Sequence, residues 1–534
     1  MPADKELMQT AQYCLLLFVL ALATAARFYN LDQLPLSAYE LDSAGVCKAN
    51  NWLELARHQR DFNGIPPLYP LILCNSLAWF ENSEFMVRLP SALFGMATIY
   101  LAFCFGRRFF SIGTGLLAAA FIAFDLRFLM ASREGGFHSM QVFVLLLHAY
   151  FFLQLILATF SKVDRAASLH YQNGSTRLDW TWKPAIAVDG PAMAGFVITG
   201  VIALYTTYTT MLCFITELLI CIWAARSPAS ALCARDLPKL WQPMLIAILP
   251  LLPALLGLGD WIIRNEVIYV RSMDELMVVF RQLFFAPTLF LLLFAGGVIA
   301  AIGLCLRTPQ HSSARIALYF LLLSWLIALL IGLITPPGFA VHYLFWIFPV
   351  FLLTAYALAY LVETFLPERL QQTAIIGLIV MINVPILQNI VKVRALYSHE
   401  VNADFRYIQT VLSQQPDFTS TRATIFANSP HLAFYLQDDP LHTLQVVRYN
   451  RKDLEKNLFP TNGTFYYLEY QPDNREMLTQ TPVSLYLSQH YATLCATRLH
   501  WLSLQKFTNP SPNISVIATP PDCRDSRLDP MLMK

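Results

Sequence analysis

The sequence predicts a mostly α, polytopic transmembrane helical bundle with outer interfacial helices and a C-terminal extracytoplasmic α/β domain, and three observations carry that class. The 534 residues are 56% hydrophobic and only 13% charged, with a mean hydropathy of +0.49, far from an ordinary soluble composition. Apolar stretches long enough to cross ~30 Å of hydrocarbon recur as far as residue 390. From residue 391 the apolar runs shorten and turn-forming segments such as "QPDNRE" and "TNPSPN" appear. A net charge of +2 leaves no basic field for nucleic acid. The interleaved aromatic and basic residues of a single-strand binder are also missing.

The first apolar run, in "MPADKELMQTAQYCLLLFVLALATAARFYN", lacks a strongly basic leader and a small-residue cleavage site. It predicts an uncleaved signal anchor over 13–29. Further spans are expected at 90–105, 112–130, 141–160, 241–258, 287–306, 316–335, 341–361 and 373–390. The stretch 192–224 is too long for one ordinary crossing, and its polar centre "YTTYTT" suits a turn between two short helices. The total is about eleven spans. With the N-terminus inside, Arg107 and Arg108, Lys162 and Arg165, Arg226 and Lys239, Arg307 and Arg315, and Arg369 all fall on the cytoplasmic side, as the positive-inside rule requires. The loop 30–89, the segments 131–140 and 260–286, and the tail then lie outside. The chain divides into a transmembrane module, 1–390, and an extracytoplasmic domain, 391–534.

In the tail, strand-like "RATIFAN" and "TFYYLEY" alternate with helix-like "VSLYLSQHYATLC", which reads as α/β. Most of the ten cysteines lie in or beside the spans, where they serve as small buried hydrophobes. Cys495 and Cys523 sit in the tail and could pair in an oxidising compartment. There is no zinc-like ligand spacing, no Gly-rich phosphate loop and no internal repeat. Sequons stand at Asn173, Asn462 and Asn513; the topology leaves Asn173 inside.

The first outer loop begins "YELDSAGVCKANNWLELARHQRDFNGIPPLYPLIL" and holds three acids, Glu40, Asp42 and Asp61. Val46, Ala49, Leu53 and Ala56 follow helical spacing and predict an amphipathic surface helix, with Asp42 or Ser43 as its N-cap. The Pro-led segment 66–80 predicts a second interfacial or re-entrant helix.

An ordered series of segments, "ELDSAG", "GIPPLYPLIL", "SEFMVRLPSALFG", "FGRRFF" and "ASREGGFHSM", resembles the first third of the polyprenyl- or dolichyl-phosphate-dependent membrane glycosyltransferases of the C type. Protein mannosyltransferases and lipid A aminoarabinose transferases belong to that family. The resemblance returns at "TPPGFAVHYLFWIFPVFLL", similar to a late outer loop, and at "VNADFRYIQTVLSQQ", similar to the start of the outer C-terminal domain. The resemblance implies an acid in the first outer loop that acts on the acceptor. The family usually has an adjacent Asp-Glu pair there, whereas this chain reads "ELDSA", so the role falls on Asp42 with Glu40 as substitute. An acid or His-Pro-Pro often precedes the "PPLY" step; here Ile65 precedes Pro66, and the nearest acid is Asp61. In the second outer loop "SREGGFHS" keeps the Arg of the family's usual stretch but replaces its later Arg and Tyr, leaving Arg133, Glu134 and His138.

The chemistry fits such residues. A sugar on a polyprenyl phosphate has a good leaving group, so transfer needs a general base for the acceptor hydroxyl and cations for the departing phosphate. Asp42 is the expected base, with inversion at the anomeric carbon. Phosphate binding is expected from Arg133 and from Arg264, Arg271, His342 and Tyr343, which the topology puts near the outer boundary. A divalent cation could sit between Asp42 and Glu134. The acceptor is a lipid, a glycan or a protein, and the setting a bacterial inner membrane with a periplasmic active site. The rival from another class is a polytopic lipid or sugar flippase, weakened by the lack of an inverted repeat; a non-catalytic binding subunit of the same fold is a third reading.

Overall fold

The computed structural model folds into two compact units, one of residues 1–29, 49–80 and 88–390 and the other of residues 30–48, 81–87 and 391–534. It describes residues 2–33, 35–48, 66–80, 83–172, 190–207, 210–226, 288–307, 313–332, 344–367 and 370–381. In the tail it describes 405–415, 423–427, 432–436, 442–446, 464–470, 490–498 and 502–508, together with a few isolated positions.

The first unit is a helical membrane bundle. In chain order its helices are α1 (Pro2–Phe28), then, after α2 of the other unit (Ala38–Gly45), α3 (Leu68–Trp79), α4 (Glu84–Phe109), α5 (Ile112–Phe124), α6 (Leu126–Arg133), α7 (His138–Gln172), α8 (Gly190–Thr206) and α9 (Thr210–Arg226). They continue with α10 (Thr288–Arg307), α11 (Ser313–Gly332), α12 (Leu344–Phe365) and α13 (Leu370–Met381). Among the described residues four segments are long and apolar enough to cross a membrane alone: Thr10–Phe28, Glu84–Phe109, His138–Ala158 and Ile347–Phe365. The protein is therefore an integral membrane protein. The expected span 241–258 lies outside the described residues.

The expected span 112–130 is not one straight helix. α5 and α6 meet at a 59° bend, because Asp125 leaves the helix with ψ 131° and its Oδ1 accepts the backbone N–H groups of Arg127 and Phe128 at 3.0 and 3.1 Å. A side chain that caps a new helix ends the old one. By contrast, the break expected at "YTTYTT" is found between α8 and α9. The Thr210 hydroxyl donates to Ala203 O at 2.9 Å and Thr207 O at 2.7 Å, replacing the backbone bonds lost there.

Aromatic rings fill the middle of the bundle, with Phe121, Phe294 and Phe351 in mutual contact at 5.0–6.0 Å. One polar group is set among them. His148 of α7 meets both carboxylate oxygens of Glu217 on α9 at 3.1 and 3.2 Å and the Thr199 hydroxyl on α8 at 3.2 Å. His148 and Glu217 are both 0% exposed. Three helices are thus joined by one paired polar cluster, the form in which ionisable groups are tolerated in hydrocarbon.

The second unit contains α14 (Phe405–Ser413), α15 (Ala433–Leu436) and the strands β1 (Ala423–Ala427), β2 (His442–Val446), β3 (Thr464–Tyr470), β4 (Ala492–Arg498) and β5 (Leu502–Thr508). The sheet order is β2-β1-β3-β5-β4, with β1 parallel to β2 and β3 and with β5 antiparallel to β3 and β4. Phe426, Phe459, Phe465, Tyr467 and Phe507 pack its core. The expected strands 423–427 and 464–470 are present. In "VSLYLSQHYATLC" the described residues Val483, Tyr486, Leu487 and His490 are helical, and its end enters β4, where pairing with β5 overrides a weak helical pattern.

Cys495 is disulfide-bonded; Cys523 lies outside the described residues. Cys47 and Cys74 of the first outer loop are also disulfide-bonded, so they are not the plain hydrophobes the sequence suggests. Cys14, Cys104, Cys213, Cys221 and Cys305, all within membrane helices, are thiols outside any disulfide.

Candidate active site

The first outer loop leaves α1 through Asn30, a non-glycine residue at φ 51°, a backbone state Asn tolerates at helix ends. Ser37 then starts α2. Its hydroxyl accepts the Glu40 N–H at 3.2 Å, and the Glu40 carboxylate accepts the Ser37 N–H at 2.8 Å, a reciprocal capping box. The N-cap is therefore Ser37, and neither Asp42 nor Ser43 caps the helix. Glu40 is buried at 2% exposure, whereas Asp42, two residues on, is exposed. The surface helix expected around Ala49, Leu53 and Ala56 lies outside the described residues.

Several bonds fix this loop to the tail within the same unit. Leu36 N–H donates to the Tyr435 hydroxyl at 2.9 Å, and Gln409 donates to Tyr435 O at 2.7 Å. Arg406 on α14 reaches Glu84 at 3.2 Å and Gln33 O at 2.8 Å. The segment "VNADFRYIQTVLSQQ" thus supplies the residues that hold the acid-bearing loop.

In the membrane unit the motif segments converge on one hydroxyl. Ser91, from "RLPSALFG", bonds the Tyr69 hydroxyl of "PPLY" at 2.8 Å. It also donates to Gly136 O at 2.8 Å and accepts from Gly136 N–H at 3.3 Å, which fixes the "REGG" turn. Ser91 is 0% exposed and Tyr69 2%.

Beside this hub, Arg27 at the end of α1 is fully buried. It donates to Ala123 O at 2.8 Å and Ile122 O at 3.3 Å, the last carbonyls of α5, and it interacts electrostatically with Asp125. Arg133, half-buried at the end of α6, sends Nη1 to Ala26 O, Arg27 O and Tyr29 O at 2.9, 3.1 and 2.9 Å. A cation at a helix C-terminus satisfies orphan carbonyls and complements the helix dipole. Gly95 allows this packing: a Cβ there would run into the Ser132 side chain and stand 3.2 Å from Arg27 Nε.

Of the expected site residues, Arg133, Glu134 and His138 fall together in and after α6. Glu134 is half-buried in the turn, and His138 is buried with its ring 4.2 Å from that of Phe137. Glu40 and Asp42 belong to the other unit. Asp61, Arg264, Arg271, His342 and Tyr343 lie outside the described residues. Among the described residues no group of three or more His, Cys, Asp or Glu is placed to hold a metal ion. Arg27, Tyr69, Ser91 and Asp125 are additions; a charge at the edge of an apolar run, as at Arg27 and Asp125, is the signal that marks two of them.

Residues 65–162 match the family model described as dolichyl-phosphate-mannose-protein mannosyltransferase, a range that holds Tyr69, Ser91, Asp125, Arg133 and Gly136. Within that range the chain is similar to membrane glycosyltransferases of the C type. The chain also shares its fold with ArnT of Cupriavidus metallidurans. The apo structure of that protein matches with a TM-score of 0.56 at 12% identity, over 92% of this chain and 97% of the other. Its structure bound to undecaprenyl phosphate matches with a TM-score of 0.51 at 13% identity, over 92% and 97%. An oligosaccharyltransferase of Archaeoglobus fulgidus, in complex with Zn and sulfate, overlaps with a TM-score of 0.46 at 12% identity, over 85% of this chain and 68% of the other. No curated protein sequence matches the chain.

Proposed function

We propose that this protein is a glycosyltransferase that moves a sugar from a polyprenyl-phosphate donor to an acceptor hydroxyl at the extracytoplasmic face of a bacterial inner membrane, with inversion. The observation that carries the reading is the coincidence of the family match with one connected structure. Tyr69, Ser91 and Gly136 are bonded together within residues 65–162, where the resemblance puts the outer loops. The ArnT structure that shares the fold was obtained with undecaprenyl phosphate bound, which supports a polyprenyl-phosphate donor here.

Asp42 is the proposed base. Glu40 is occupied in the capping box, while Asp42 is exposed on the next part of the same helix. The carboxylate takes the acceptor's proton as its oxygen attacks the anomeric carbon, and the bond to the phosphate oxygen breaks on the opposite side. Arg133, with Arg264, Arg271, His342 and Tyr343, is proposed to neutralise the departing phosphate. Asp61, Glu134 and His138 complete the group of polar residues on the outer loops. The topology, with about eleven spans and the unit containing the tail outside, belongs to the same proposal.

The test incubates purified protein in vesicles with a polyprenyl-phosphate sugar labelled in the sugar. Transfer predicts label in a new product and stoichiometric free polyprenyl phosphate. Label that crosses the bilayer still joined to its lipid would instead establish a flippase.

A further inference from the structure

A cavity of about 190 Å³ opens at the other end of the bundle from Arg27 and Asp125, lined by α1, α5, the end of α12 and α13. Along α5, Gly113 stands roughly 18 Å from Asp125 at 1.5 Å per residue. The polar part of the lining is Gln12, Glu363, Gln371 and Gln372; the rest, including Leu15, Leu116 and Ile376, is apolar. Among the described residues no basic side chain lines it.

Glu363 is the unusual member. It lies in the last turn of α12 (Leu344–Phe365), where the helix dipole disfavours a carboxylate. Its Oε1 is 3.3 Å from where a Cβ on Gly113 would stand, so the N-terminal turn of α5 supports the negative charge at the cavity wall. Gln371 donates to Glu363 O and Leu366 O at 3.1 and 3.0 Å, which holds the α12–α13 turn in place. The result is an exposed carboxylate at the cavity wall beside carboxamides, with apolar sides that include Ala11 and Ile376, both exposed.

We propose that this cavity binds the headgroup of a phospholipid bearing a primary amine. The ammonium donates to the Glu363 carboxylate, the carboxamides of Gln12 and Gln372 meet the polar part of the headgroup, and the chains lie along the apolar sides. The volume is below the ~300 Å³ at which drug-sized sites begin and suits a small headgroup. An anionic headgroup would bring a second negative charge beside Glu363, which the carboxylate disfavours.

The test is native mass spectrometry of the full-length protein released from nanodiscs with equal phosphatidylethanolamine and phosphatidylglycerol, with thermal stability as the folding control. The wild type is expected to retain the amine lipid preferentially. Glu363→Gln should lower that retention roughly tenfold, the scale of a charge-assisted hydrogen bond. Ala11→Trp, which fills the cavity from its exposed side without touching Glu363, should lower it as far and keeps the test decisive should Glu363→Gln fail to fold. Equal retention of both lipids by the wild type, or a preference that survives both substitutions, overturns the proposal.

Discussion

Arg27 and Arg133 cap neighbouring helices in series: Arg27, at the end of α1, bonds the closing carbonyls of α5, and Arg133, at the end of α6, bonds carbonyls at the end of α1. The bend at Asp125 lies between these two sets of bonds. This arrangement locks the start of the first outer loop to the start of the second, so the segment that carries Arg133, Glu134 and His138 is held on a rigid base. Replacing Arg27 with Met leaves buried carbonyls unsatisfied and removes one of the two cations that act on Asp125. A loss of about 3–5 kcal/mol is expected, measurable as a lower unfolding temperature in detergent. An unchanged melting curve would show that water or neighbouring groups satisfy those carbonyls instead.

Arg133 is asked to do two things, and Lys separates them. A Lys keeps a cation over the α1 carbonyls, so Arg133→Lys should retain most of the stability that Arg133→Ala loses. It lacks the planar fork, so donor affinity should weaken by about 1–3 kcal/mol. Donor titration of both proteins decides the matter. Full donor affinity in a folded Arg133→Ala protein would confine Arg133 to capping α1.

Gly95 and Ser132 occupy one space. Gly95→Ala should destabilise by about 1–3 kcal/mol through overpacking, because its new methyl meets Ser132 and Arg27. Ser132→Gly in the same protein should restore much of the loss. If the double variant is no better than Gly95→Ala alone, the crowding lies elsewhere.

The His148–Glu217 pair is fully buried. Glu217→Leu should cost about 3–5 kcal/mol because His148 loses its partner, whereas His148→Leu with Glu217→Leu should cost much less. Thermal unfolding of the two singles and the double completes the cycle. Additive losses would mean that the two side chains are not coupled.

Much of this architecture is legible in the residues. The apolar runs mark the membrane helices, and the threonines of "YTTYTT" announce the α8–α9 break because their hydroxyls can replace backbone bonds. The Ser37–Glu40 capping box is also legible as an S-x-x-E signature; a reading that starts from the acids puts the cap at Asp42 or Ser43 and misses it. The bend at Asp125 is hidden because apolar residues run up to it from Gly115 and resume at Leu126, which looks like one span. The pairing of His148 with Glu217 and the meeting of Tyr69, Ser91 and Gly136 depend on which helices become neighbours, and hydrophobic periodicity carries no such information. The end of "VSLYLSQHYATLC" alternates in a way that suits helix or strand until β5 supplies a partner.

The central claim is that a carboxylate of the first outer loop drives sugar transfer, and the most direct measurement is single-turnover release of polyprenyl phosphate by wild type, Asp42→Asn and Glu40→Gln. The account predicts that Asp42→Asn folds, binds donor normally and turns over slower by about a hundredfold or more, the scale of general-base loss. Glu40→Gln should mainly lower stability, by about 0.5–2 kcal/mol for a weakened cap. Near-normal turnover in Asp42→Asn, with a folded but inactive Glu40→Gln, would contradict the account and move the base to Glu40.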